Sequence, residues 1–312
     1  MRLFRHADAG VPQGAAIAIG NFDGVHLGHR TVIEAARRIA DGRNAPLAIL
    51  TFEPHPRSVF APNAPPFRLT PFRSKTRLIA EAGVDLLFTL HFDRAFAARS
   101  AEDFVAGLLV GRLGASHVVV GQDFTFGKGR VGNPALLRDM AATLGFGVTV
   151  LEPETDAGGK HASASRIREH LAQGRPRDAA ALLGRPWEIE GRVEQGDQRG
   201  RELGFPTANL AIANHLHPAP GVYAVRAGVA ERDGTLHWHD GVANFGNRPT
   251  FAGQDWRLET NLFDFSDDLY GKHLRVALVD FIRPDLKFNS ADELVTAMHD
   301  DAAKARAILT RS

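Results

Sequence analysis

Along the first 184 residues, short apolar runs alternate with segments whose apolar positions recur at helical spacing. The runs at 15–19, 47–52, 84–90, 117–120 and 148–151 are short and almost continuously apolar, the pattern of strands buried on both faces. Helical periodicity falls between them at 30–40, 74–82, 101–113 and 135–144. The third of these segments opens with Ser100-Ala101-Glu102-Asp103, which resembles a capping box. Strand and helix in alternation predict an α/β domain on a doubly wound parallel sheet. The pattern breaks after Leu182-Leu183-Gly184, where Arg185-Pro186-Trp187 follows; a glycine closing a helix before a proline is a boundary signal.

Beyond the break the runs at 221–225 and 274–282 are separated by Gly, Asp and Asn turns without intervening helices. That texture predicts a small antiparallel sheet or barrel. A last helix is expected from Ser290, capped by Ser290-Ala291-Asp292-Glu293, with Leu294, Met298 and Ile308 among its apolar positions. The expected domains are therefore 1–184 and 185–312, which suits 312 residues at about 150 per domain.

Composition narrows the class. Hydrophobic residues make up 44% and charged residues 23%, as in ordinary globular chains. The net charge of +1 gives no whole-chain case for a nucleic-acid or membrane-surface partner. It sums two opposed halves: residues 1–184 carry 22 basic and 17 acidic side chains, residues 185–312 carry 15 and 19. With no cysteine there is no disulfide scaffold, thiolate zinc site or cysteine nucleophile. No apolar stretch approaches the roughly 18 residues of a spanning helix, and residues 1–6 lead into no signal-peptide core, so a cytoplasmic protein is expected.

The first apolar run leads into Gly20-Asn21-Phe22-Asp23-Gly24-Val25-His26-Leu27-Gly28-His29, with a helix directly after. A glycine-rich turn between a first strand and its helix presents backbone N–H groups and a helix N-terminus to an anion. Glycines 20, 24 and 28 let the backbone approach a phosphate closely. His26 and His29 supply donors for charge developing on phosphorus and on a pyrophosphate leaving group. The blander reading makes them solvated turn residues, and their place at the first strand-to-helix junction weighs against it. A metal reading lacks a carboxylate or Cys at ligand spacing. The segment from Gly121 to Gly127-Lys128 mimics a phosphate-binding P-loop with the wrong spacing, which leaves Lys128 a solvated loop lysine.

The second constellation is Arg201-Glu202-Leu203-Gly204-Phe205-Pro206-Thr207-Ala208-Asn209. Thr207 and Asn209, two apart on an extended segment, face one side and offer a hydroxyl and a carbonyl oxygen to Mg²⁺, which takes few protein ligands. Taken alone, Pro-Thr-x-Asn is a proline turn followed by a strand. The pairs His215/His217 and His237/His239 have metal-like spacing but no evident third ligand, and exposed loop histidines are expected there.

At its first constellation the chain resembles the HxGH nucleotidyltransferases. The longer string is similar to the N-terminal module of the bacterial bifunctional riboflavin kinase/FMN adenylyltransferase (FAD synthetase) family. Residues 51–56 (TFEPHP), 120–127 (VGQDFTFG) and 163–168 (SASRIR) extend that resemblance, and residues 201–209, 221–225, 241–251, 259, 262–265, 268–271 and 281–284 carry it through the kinase module. It implies a Rossmann-like adenylyltransferase domain followed by a small riboflavin kinase barrel with a terminal helix. By the resemblance Gly20, Phe22, Asp23, Gly28, Ser165 and Arg168 bind nucleotide phosphates in the first domain, and Gly204 and Pro206 do so in the second. It further implies Thr207 and Asn209 as Mg²⁺ ligands, Glu259 as the general base on the riboflavin 5′-hydroxyl, His26 and His29 as catalytic, and Asp123 and Arg283 as flavin contacts. ATP is the co-substrate, and riboflavin, FMN and FAD are substrates or products.

The chain departs from the family at Ala164, where a hydroxyl residue is usual, at Asp123, where Asn is common, and at Asn261, where His is frequent. The expected function is riboflavin phosphorylation to FMN and FMN adenylylation to FAD, without nucleic-acid or membrane partners; oligomeric state is not readable. Two alternatives stand beside it. One is an active kinase whose N-terminal domain is a flavin-nucleotide binding or regulatory module. The other is a non-catalytic flavin-dependent regulator that binds nucleic acid.

Overall fold

The structure, a computed structural model, describes residues 1–6, 10–152, 161–195, 205–212, 214–231, 235–250 and 253–311. Its contacts divide the chain into two compact units, Met1–Pro65 with Thr70–Ser163 and Pro66–Leu69 with Ala164–Ser312.

The first unit contains β1 (Arg2–Phe4), β2 (Ala16–Ile19), α1 (Leu27–Gly42), β3 (Leu47–Glu53), α2 (Pro56–Phe60), α3 (Phe72–Glu81), β4 (Leu86–His91) and α4 (Arg94–Ala97). A π-helical run at Asp103–Val110, β5 (His117–Gly121), α5 (Pro134–Leu144) and β6 (Gly147–Leu151) complete it. The six strands form one parallel sheet in the order β1-β4-β3-β2-β5-β6. Ile17 and Ile19 join Leu50, Phe88, Val118 and Val120 against Phe104 and Leu108 on one face. Ala16, Ala18, Ile49 and Val119 meet Ile33, Leu78 and Ile79 on the other. Both faces are covered, which is why these strands read as unbroken apolar runs.

The short helices α2 and α4, the edge strand β1 and the 101–113 segment differ from expectation. β1 escapes the pattern because three residues at a sheet edge show no periodicity. The segment expected as a helix over 101–113 is capped as foreseen, Asp103 N donating to Ser100 Oγ at 3.0 Å. Its bonds then widen to five residues, Gly111 N to Ala106 O and Leu113 N to Leu108 O. The Asp103 carboxylate turns to Arg99 at 2.8 Å rather than back to the cap.

The second unit begins with α6 (Ala164–Ala172) and α7 (Pro176–Leu183), the latter ended by Gly184 at φ 71°. There follow β7 (Trp187–Glu194), β8 (Ala208–Ala211), β9 (Gly221–Ala230), β10 (Leu236–Thr250), β11 (Gly253–Leu262), β12 (His273–Pro284) and α8 (Ala291–Leu309). The strands close into an antiparallel barrel in the order β10-β11-β8-β7-β12-β9. The α8 residues Ala305 and Leu309 pack on Ala224, Val242, Phe263, Val279 and Ile282, covering part of the barrel's outer face. Ser290 caps α8 through Glu293 N at 3.2 Å, and Glu293 returns a carboxylate oxygen to Asn289 N at 3.0 Å. Four residues from earlier in the chain complete this unit: Trp187 Nε1 donates to Leu69 O at 2.8 Å, and Leu216 N to Arg68 O at 2.8 Å.

Candidate active sites

In the first unit the sheet order reverses between β2 and β5, so the crevice at their carboxyl ends is the switch point where open α/β sheets bind ligands. β2 ends in the 20–29 loop and β5 in Gly121-Gln122-Asp123. The loop is wound tightly, with Phe22 and Val25 at φ 47° and 42° and both buried. Asp23, also buried, accepts from Thr70 N at 3.0 Å and Thr70 Oγ1 at 3.3 Å, while Gly24 N donates to the same hydroxyl at 2.8 Å. This network holds the loop, so Asp23 serves it as an anchor. Gly20 donates its N–H to Leu50 O, and a Cβ there would lie 3.3 Å from the Phe22 ring.

His26 is the N-cap of α1, its Nδ1 accepting from His29 N at 3.3 Å. A neutral His26 in that role carries its proton on Nε2 and presents a donor there. The two imidazoles stack with centroids 3.7 Å apart, and Phe22 lies 5.1 Å from His29. Burial, then the charges of His26 and Lys75, hold His29 well below the usual histidine range, so it is neutral at pH 7. A Cβ on Gly28 would meet the His26 ring and Ala162 O, each at 3.3 Å, which explains a glycine between the histidines. Asp123 is exposed beyond β5, and Lys128 is exposed, as its loop reading required. Ser165 is exposed near the start of α6 and Arg168 is half-buried, its Nε donating to Phe67 O at 2.8 Å and its guanidinium lying over the Phe67 ring. Both belong to the second unit.

In the barrel, Thr207 directly precedes β8, and Asn209 is buried within it. Asn209 pairs in register with Glu259 of β11, and Glu259 pairs in turn with Asn244 of β10. Directly opposed residues share a face, so the three side chains form one row across three strands. It is the outer face: Leu258 and Thr260 on either side of Glu259 are fully buried, and Val242, two residues from Asn244, packs under α8. Asn209 Nδ2 donates to Thr207 O at 3.4 Å, and among the described residues Asn209 Oδ1 and Asn244 Oδ1 have no hydrogen-bond partner. Pro206 O accepts from Asn261 Nδ2 at 2.8 Å, and Phe205 stands edge-on to His299 of α8 at 4.9 Å. Arg283 makes a bidentate pair with Asp301 of α8, with contacts of 2.7 to 3.1 Å, and its guanidinium lies over Phe288. Gly204 lies outside the described residues.

Family models for FAD synthetase and riboflavin kinase match residues 8–165 and 183–309. The bifunctional riboflavin kinase/FMN adenylyltransferase of Escherichia coli K12 is 42% identical over 310 residues, covering 98% of this chain and 97% of that one. The chain belongs to the bifunctional riboflavin kinase/FMN adenylyltransferase family. Relatives of the same name from Haemophilus influenzae and Bacillus subtilis are 41% and 38% identical, over 98% and 93% of this chain and 99% and 91% of theirs. A crystal structure described as a macrolide-efflux protein from Streptococcus pneumoniae matches with a TM-score of 0.86 and 31% identity over 98% of both chains. Among the described residues here, no helix is long and apolar enough to cross a membrane.

The histidine pairs correct part of the expectation of exposed loop histidines. His215 is buried: the turn after β8 is pinned by His215 N to Ile212 O and Leu216 N to Arg68 O, and Glu190 N approaches His215 Nε2 at 3.5 Å. Burial pushes its pKa down to about 4. His217 is half-buried against the Trp256 ring at 4.8 Å. His237 and His239 lie on β10 rather than in a loop, beside Glu231 and Phe265 respectively. Sequence reasoning also passed over Asn244, whose only signal was its place in the 241–251 string, and the buried Lys75, which helical periodicity places on the apolar face of α3.

Proposed function

We propose that the chain makes both flavin cofactors in sequence, phosphorylating riboflavin to FMN through residues 185–312 and adenylylating FMN to FAD through residues 1–184. ATP is the co-substrate of each step. The observation that carries the kinase assignment is the Asn209–Glu259 register, which sets a buried oxygen donor and a carboxylate side by side.

In the kinase step, Glu259 accepts the proton of the riboflavin 5′-hydroxyl as its oxygen attacks the terminal phosphorus of ATP. The buried Asn209 Oδ1, without a partner among the described residues, and the Thr207 hydroxyl are hard oxygen donors suited to Mg²⁺. When bound, that ion neutralises phosphate charge. A second support is the edge-on contact of Phe205, next to Pro206-Thr207, with His299 of α8.

In the adenylyl step, a phosphate oxygen of FMN attacks the α-phosphorus of ATP and pyrophosphate departs. His26 and His29 donate hydrogen bonds to the reacting phosphates, helped by the N-terminus of α1. Gly20, Phe22 and Gly28 shape the loop, and Asp123, exposed beyond β5, is a flavin contact. Arg283 acts mainly through Asp301, setting α8 beside the kinase site. Cytoplasmic residence belongs to this reading, because ATP feeds both steps.

The test supplies riboflavin, ATP and Mg²⁺ to the purified chain and follows FMN and FAD separately, then repeats it with FMN in place of riboflavin. Both products are expected. FMN without FAD would reduce the first unit to a flavin-nucleotide binding module, and neither product would remove the enzymatic reading.

A further inference from the structure

Glu259 is flanked in its row by two amides, Asn209 across β8 and Asn244 across β10. With strands about 4.8 Å apart, the carboxylate stands midway between side chains rooted about 10 Å from each other. Each amide has a covered oxygen, Asn209 Oδ1 and Asn244 Oδ1, with no hydrogen-bond partner among the described residues. A covered acceptor left unmatched costs stability, and a β-branched apolar side chain suits a strand better. Asn209 Oδ1 has a cation to serve in the kinase step, whereas Asn244 Oδ1 has no role there. Gly246 lies two residues along β10 from Asn244, on the same face. A Cβ at Gly246 would stand 3.7 Å from Asn244 Nδ2 and 3.7 Å from Asp285 Oδ2. The glycine thus leaves bare backbone between an amide and a carboxylate. Past Glu259 and away from Asn209, the row continues into a strip edged by a donor and an acceptor.

We propose that Asn244 determines specificity for the polyol chain of riboflavin, its Oδ1 accepting from the 4′-hydroxyl, the neighbour of the hydroxyl that is phosphorylated. The proposal rests on the kinase reading of Glu259. Thr207 and Asn209 gather oxygen donors on one side of that carboxylate, which is where the phosphates of ATP are held. In-line attack then brings the alcohol from the opposite side of Glu259, the side of Asn244. With the 5′-hydroxyl against Glu259, the 4′-hydroxyl, one carbon back, falls towards β10. Its bond to Asn244 matches a covered acceptor and fixes the direction of attack. An alcohol without that hydroxyl leaves the acceptor unmatched, and a site built in this way rejects it.

The test measures phosphorylation of riboflavin and of 4′-deoxyriboflavin by the full chain and by Asn244→Ala and Asn244→Ser, with FAD formation from FMN as the control for folding. The wild type should prefer riboflavin by about a hundredfold or more in kcat/KM. Asn244→Ala should lose about tenfold or more on riboflavin and treat the deoxy substrate as the wild type does, so that the preference collapses. Asn244→Ser keeps an oxygen and should restore part of the preference. A wild type that does not discriminate overturns the proposal, as does an alanine variant that still does. Equal losses on both substrates also overturn it, since they mark a structural role. Should the alanine variant not fold, Asn244→Val, which suits a strand and carries no oxygen, takes its place under the same criteria. A wild-type chain that forms no FMN overturns the kinase reading instead. The affinities of the two flavins for the wild type and the variant, read from flavin fluorescence, then decide on Asn244 by themselves.

Discussion

Asn209 and Glu259 stand directly opposite each other where β8 pairs with β11, so both side chains leave the barrel on the same side. Residues separated by 49 positions of chain, including two further strands, are brought together as one cross-strand pair. Glu259→Gln keeps the size and polarity of the side chain and removes the base. FMN formation should fall by about a hundredfold or more, with FAD formation from supplied FMN unchanged. Separate assays of the two products check this, and equal damage to both would sink the two-site assignment.

His29→Ala should do the reverse, reducing FAD formation by about a hundredfold or more while riboflavin phosphorylation continues. His26→Ala removes the N-cap of α1 as well as a donor, so it should also cost about 1 kcal/mol of stability. Denaturant unfolding of the His26 variant measures that cost.

His215 makes the kinase unit acid-sensitive. Above pH 6.5 its imidazole is neutral whether the chain is folded or not. As the pH falls from 6.5 towards 4 the unfolded chain takes up a proton that the buried ring refuses, because its folded pKa is about 4. Stability is thus lost across that window and levels off below it, by up to about 3 kcal/mol. His215→Gln, which keeps an acceptor for Glu190 N, should flatten this part of the stability-against-pH curve measured by urea unfolding. A variant curve parallel to the wild type would refute the assignment.

Asp301→Ala strips the partner from the half-buried Arg283 guanidinium and should destabilise the chain by about 3 kcal/mol. The loss of α8 packing should weaken riboflavin phosphorylation too. Replacing both partners together, as Arg283→Met with Asp301→Leu, should recover most of the stability; thermal unfolding of the single and double variants measures it. If the double variant is folded but no longer binds riboflavin, Arg283 contacts the flavin directly.

The five principal strands of the first sheet were legible because burial on both faces leaves unbroken apolar runs. The histidine loop was legible because its glycines and histidines are contiguous. Asn244 and Lys75 were not. An asparagine becomes notable only when register sets it across from Glu259, and a lysine on an amphipathic helix reads as solvated until packing covers it. His215 failed for a related reason: its turn is polar in sequence and is buried only because Leu216 bonds to Arg68, far upstream.

By itself the sequence determined the alternation of buried strands and helices in the first domain, the change to a β-rich second domain with a terminal helix, and the two short strings that carry the chemistry, since periodicity, capping residues and glycine-rich turns act over a few positions. Tertiary structure alone decided that the sheet reverses at the histidine loop, that the barrel closes so that Asn209, Glu259 and Asn244 share a row, and that Lys75 and His215 are buried. Those outcomes depend on pairing and packing between distant segments, where register and desolvation, rather than local preference, fix which groups meet and how they are charged.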